Sequence, residues 1–125
     1  MIRILALGLV IGLAACGGSS ATTDDGPPDG AELFSSKVLG GQAGCVTCHS
    51  LEPDRVLVGP SLAGLGQRAG ETVPGQSGRE YIRTSIVAPG AHVVAGFDDG
   101  RMPSNWGEVL TESQVDALVD YLGGL

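Results

Sequence analysis

Cys45-Val46-Thr47-Cys48-His49 constrains this chain more than any other stretch. The C-x-x-C-H run is the attachment signature of a c-type haem. Two thiols at this spacing add to the two vinyl groups of one porphyrin, and the adjacent imidazole then falls beneath the iron. Cys45 and Cys48 are therefore expected as thioether anchors of one covalent haem, with His49 as the proximal axial ligand. Two other readings of paired cysteines fail on context. A redox dithiol needs a βαβ pattern with a helix opening at the first cysteine, and here Gly40-Gly41-Gln42-Ala43-Gly44 precedes it as loop. A structural zinc site needs a second ligand pair, and the remaining cysteine and histidine are the isolated Cys16 and His92.

The chain has 125 residues, only 4% of them aromatic, and 21 are glycine. That is one small domain with too few bulky side chains for a full core, the situation in which a staple is usually needed. A buried porphyrin supplies the missing apolar volume, and covalent attachment fixes its place.

The N-terminus reads as an export signal. Arg3 is followed by an uncharged run from Ile4 to Leu13, too short for the about 20 apolar residues that span a bilayer. It ends in Leu13-Ala14-Ala15-Cys16-Gly17, which resembles the lipobox of bacterial lipoproteins. That resemblance implies removal of residues 1–15 and lipidation of Cys16. Two or more acyl chains anchor stably where one does not, so the mature protein is expected on the extracytoplasmic side of a membrane, attached without spanning it. Thioether attachment of haem in bacteria also occurs outside the cytoplasm, so the two motifs agree. Residues 17–29 contain almost nothing apolar and read as a tether, with a root-mean-square reach of roughly 20 Å and a maximum of about 45 Å. A formal net charge of −7 argues against a nucleic-acid partner.

From residue 30 to residue 125 the pattern predicts an all-α domain of three main helices with long Gly/Pro-rich loops. The first is expected from about Gly30 to Leu39, capped by Asp29 and stopped by Gly40-Gly41. The second opens with the capping-box pattern Ser77-Gly78-Arg79-Glu80 and stops at Pro89-Gly90. The third opens with Thr111-Glu112-Ser113-Gln114 and carries Val115, Leu118, Val119 and Leu122 on one face.

Two residues compete for the second axial position, and an open site is the third alternative. Met102 lies in Gly100-Arg101-Met102-Pro103, where the proline stiffens the backbone presenting it. His92, in Pro89-Gly90-Ala91-His92-Val93, reads equally as a surface histidine. The loop context favours Met102.

Together these features resemble a class I cytochrome c, and within that class the haem domain of cytochrome c oxidase subunit II and related membrane-anchored monohaem cytochromes. The resemblance runs through the haem motif, Val58-Gly59-Pro60-Ser61-Leu62-Ala63-Gly64-Leu65, Tyr81-Ile82-Arg83-Thr84-Ser85-Ile86, Met102-Pro103 and Leu118-Val119-Asp120-Tyr121-Leu122. It implies that the Pro60 carbonyl accepts a hydrogen bond from His49, that Phe34 and Tyr121 meet where the first and last helices cross, and that Trp106 packs near the haem. It also places Arg68 near a haem propionate, against the plain reading of a surface arginine. The oxidase subunit has a copper domain and transmembrane helices ahead of its haem domain; here a tether and lipid are expected instead.

The expected function is one-electron transfer by a haem ligated by His49 and Met102, not enzymatic catalysis. Expected partners are a quinol-oxidising complex or dehydrogenase as donor and a terminal oxidase or reductase as acceptor, in the periplasm or its equivalent. The alternative is a haem enzyme or gas sensor with an open distal site, in which His92 would act as the acid or base.

Overall fold

The computed structural model describes residues 26–125. The expected signal peptide, the Cys16 lipidation site and most of the tether lie outside the described residues. Asp29 opens the first helix, α1 (Gly30–Ser35), its carboxylate accepting from the backbone N–H of Ala31 at 2.8 Å and of Glu32 at 3.3 Å. The expected continuation to Leu39 does not occur. Ser36 takes extended backbone, and the hydroxyls of Ser35 and Ser36 donate back to the carbonyls of Ala31 and Glu32, which closes the helix end. The chain then makes two short strands, β1 (Val38–Leu39) and β2 (Gln42–Ala43), paired antiparallel. Gly40 and Gly41, at φ 57° and 80°, are the two left-handed residues of the tight turn between them. The Gly-Gly pair thus turns a hairpin where a helix stop was expected.

Four further helices follow: α2 (Leu65–Thr72), α3 (Gly78–Val87), α4 (Trp106–Val109) and α5 (Glu112–Gly123). Both expected capping boxes are formed. Ser77 Oγ accepts from the Glu80 N–H at 3.3 Å while the Glu80 carboxylate accepts from the Ser77 N–H at 2.8 Å. Thr111 and Gln114 repeat the arrangement at 3.2 and 2.9 Å. The expectation of three main helices omitted α2 and α4; α2 has no side-chain cap and buries only Leu65 and Ala69, one turn apart.

Val115, Leu118, Val119 and Leu122 of α5 are all buried, against Tyr81, Ile82 and Ile86 of α3. Each such side chain contributes roughly 1.5–3 kcal/mol by leaving water. Close helix crossings require glycine: a Cβ at Gly30 would lie 2.1 Å from the Ala117 carbonyl oxygen, so α1 and α5 meet almost backbone to backbone. Beside that crossing the Phe34 and Tyr121 rings pack with centroids 5.9 Å apart. On the outer face Arg83 donates to Asp116 at 2.9 Å and also pairs with Glu112, while Arg79 pairs with Asp116 and Asp120. These pairs are exposed and add little individually. Among the described residues no helix is long and apolar enough to cross a membrane. The fold is all-α apart from the small hairpin, and it leaves one face open between the Cys45 turn and the long segment joining α3 to α4.

Candidate functional site

Cys45–Thr47 form a single 3-10 turn, closed by the N–H groups of Cys48 and His49 donating to the Cys45 carbonyl at 3.1 and 2.9 Å. In that conformation residues three apart stand on the same side, so the backbone aligns Cys45 with Cys48 and directs the chain into His49. The turn is anchored by Gly44, whose N–H donates to the Lys37 carbonyl at 2.9 Å and whose absent Cβ would strike the Ser36 carbonyl oxygen at 2.0 Å. The hairpin therefore seats the turn, a role invisible when residues 36–39 are read as helix. Neither Cys45 nor Cys48 is engaged in a disulfide, so both sulfurs are available for attachment. Burial pushes the Cys45 thiol up from its ordinary value, and the neighbouring Cys48 adds to the effect.

His49 is held from two sides. Its Nδ1 lies 2.9 Å from the Pro60 carbonyl oxygen, so Nδ1 carries the proton and donates it. A Cβ at Gly59 would lie 2.5 Å from His49 Cε1, so the bare glycine backbone forms a face for the ring. The Gly59 N–H in turn donates to the Cys48 carbonyl at 2.8 Å, locking the Gly59-Pro60 segment to the motif it supports. Burial pushes the His49 imidazole down from its ordinary value, with the Pro60 bond opposing. Nε2 makes no hydrogen bond to any described residue and keeps its lone pair.

Cys45, Cys48 and His49 line a cavity of about 180 Å³ that opens to the surface. Its other walls include Leu62, Ile82, Leu118 and Trp106 from the core and His92, Val93, Val94, Phe97, Met102 and Pro103 from the α3–α4 segment. Val58, Val93 and Val94 are 45%, 37% and 37% exposed, and all three line this cavity. Apolar walls of this kind, with two thiols and one unprotonated imidazole nitrogen on a single turn, fit a flat apolar macrocycle carrying a metal that accepts nitrogen.

Cys45, Cys48, His49 and Met102 thus share one cavity, together with His92. Arg68 does not line it: its guanidinium donates to the Ser61 carbonyl at 2.9 Å and to that of Ala63, buttressing the loop behind Pro60. These bonds give Arg68 a role in supporting the loop. Arg101 lines the cavity instead, with Asp98 and Asp99. The role of Gly59 is not legible from the sequence, because a small residue just before Pro60 has meaning only with the His49 ring packed against it.

A comparison with curated proteins gives no match. The family model for cytochrome c, in contrast, matches residues 28–125, from just before α1 to the end of α5. Cys45, Cys48 and His49 are the attachment motif of the covalent c-type haem that goes with that family, and the chain belongs to the cytochrome c family.

Proposed function

We propose that this haem protein is a membrane-anchored, one-electron carrier whose iron is ligated by His49 and Met102. The observation that carries the reading is that Met102 and His49 line the same apolar cavity, with Pro103 stiffening the backbone behind the thioether. Bound haem supplies a single-electron couple at its iron, and thioether opposite imidazole raises its potential relative to two imidazoles. The chain's own residues do the rest. Pro60 fixes the tautomer and orientation of His49, leaving Nε2 as donor. Gly59 and the Cys45 turn brace the ring, and the walls around it are mostly apolar. With both axial positions taken by His49 and Met102, bound haem would exchange electrons without taking up oxygen or peroxide.

Cys16 is the proposed lipid attachment point, and residues 17–29 the tether that keeps the domain within a shallow layer above the membrane. Donor and acceptor are proposed to be respiratory complexes, a quinol-oxidising complex or dehydrogenase on one side and a terminal oxidase or reductase on the other.

The test is the visible spectrum of the haem-loaded protein, oxidised and reduced, with carbon monoxide added to the reduced form. A long-wavelength sulfur-to-iron band and no response to carbon monoxide are expected. A missing sulfur band with ready carbon monoxide binding would replace this reading with an open-site enzyme or sensor.

A further inference from the structure

We propose that His92 is a reserve ligand to the haem iron, taking the distal position when Met102 leaves it. The inference rests on the axial ligation proposed above and concerns what the chain does when that ligation is broken.

His92 and Met102 lie on one continuous segment, from the end of α3 to the start of α4, and both line the haem cavity. That segment is tied to the body of the protein by packing alone. Within residues 92–104 the hydrogen bonds are local: the Phe97 N–H donates to the Val94 carbonyl at 3.1 Å, and the Gly100 N–H to the Asp99 carboxylate at 2.7 Å. No hydrogen bond joins residues 92–104 to any other described residue. Gly96 and Gly100, at φ 91° and 75°, break the segment into short pieces. Segments with few backbone bonds to the rest open at low free-energy cost, so this wall can rearrange without unfolding the helices.

His92 is suited to use that freedom. It is exposed, its ring stands edge-on to buried Tyr81 with centroids 5.7 Å apart, and neither ring nitrogen is hydrogen-bonded to a described residue. Every other nitrogen or sulfur donor of the cavity is spent or misplaced. His49 holds the proximal side and the two motif thiols are taken by attachment. Arginine stays protonated and cannot ligate, and Lys37, the one lysine of the sequence, does not line the cavity. With Met102 gone, His92 shares the cavity with the Tyr81 phenol, the Asp98 and Asp99 carboxylates and water, and of these only imidazole offers nitrogen to the iron. In the exchange the sulfur–iron bond breaks and a lone pair of neutral imidazole forms the new bond, with no electron or atom transferred. Imidazole in place of thioether lowers the reduction potential, so the exchange would disconnect the carrier from high-potential donors.

The experiment compares the full-length, haem-loaded variants M102A and M102A/H92A by absorption spectrum and carbon monoxide titration, with circular dichroism to verify folding. M102A is expected to remain low-spin and to bind carbon monoxide about tenfold or more weakly than the double variant, because the internal ligand must first be displaced. Equal carbon monoxide affinity and the same high-spin spectrum in both variants would overturn the proposal. M102L and M102L/H92A, which keep the side-chain volume, provide the same comparison if M102A does not fold. The two readings fail separately: a missing sulfur band in the unmodified protein refutes Met102 as ligand, whereas equality of the variant pair refutes His92.

Discussion

Replacing Gly59 with alanine drives a methyl group into the proximal imidazole. The added carbon would sit 2.5 Å from His49 Cε1, 2.9 Å from Nδ1 and 3.1 Å from Nε2. Carbon atoms in good contact stand ~3.5–4.0 Å apart, so ring and backbone must separate by about 1 Å. If the ring retreats, the 2.9 Å bond from Nδ1 to Pro60 is stretched beyond hydrogen-bonding range. If the loop retreats, the 2.8 Å bond from the Gly59 N–H to Cys48 is lost instead. One lost hydrogen bond costs about 0.5–1.5 kcal/mol and the overpacking about 1–3 kcal/mol, giving a destabilisation of about 1.5–4.5 kcal/mol. Denaturant unfolding of the haem-loaded protein, followed by far-ultraviolet circular dichroism and by the Soret band, measures it. A Gly59→Ala protein within about 0.5 kcal/mol of the parent, the range of an ordinary surface substitution, would refute the claim that Gly59 packs against the ligand.

Leu118→Ala, at a side chain only 1% exposed in the centre of α5, is expected to cost about 2–5 kcal/mol in the same unfolding assay. Thr111→Ala removes the α5 cap and should cost about 1 kcal/mol, while leaving the haem spectrum unchanged. The hydroxyl and then the backbone N–H of Ser77 hold the Glu80 carboxyl below the usual carboxylate range. Its folded-state value thus lies below the unfolded one, so this stabilisation is complete above the unfolded value of about 4.3 and is lost as pH falls through the folded one. Glu80→Gln should flatten that part of the acid-unfolding profile. Arg83→Ala, which severs exposed pairs to Asp116 and Glu112, should cost no more than about 1 kcal/mol, and the difference should shrink in high salt.

What was legible in the sequence was written in residues with one structural meaning. The Ser77 and Thr111 capping boxes and the Val115-Leu118-Val119-Leu122 stripe specify their helices locally, and both helices start where those signals stand. Cys45, Cys48 and His49 are adjacent in the chain, so their grouping needed no tertiary information. Other features depended on distant partners. The end of α1 is decided by Ser35 and Ser36 hydroxyls turning back on Ala31 and Glu32, and by pairing of Val38 with Ala43, neither of which a helical periodicity of Leu33, Phe34 and Val38 reveals. α2 was missed because Gly66 and Gly70 lower its local propensity; it forms because Gly66 lets the chain approach Gly123 and donate to Leu125 at 3.2 Å. Arg68 was ambiguous for a similar reason. Its partners are carbonyls of the preceding loop, and only the fold brings them within reach.

The central claim is that the Met102 thioether binds the iron opposite His49. The proton spectrum of the reduced, haem-loaded protein tests it most directly, because the sequence has only two methionines, Met1 and Met102. A thioether methyl held over the porphyrin face is displaced far upfield of every other methyl by the ring current. The account predicts one three-proton resonance in that isolated region, absent from Met102→Leu. Methionine methyl signals confined to their ordinary positions in the unmodified protein would contradict it.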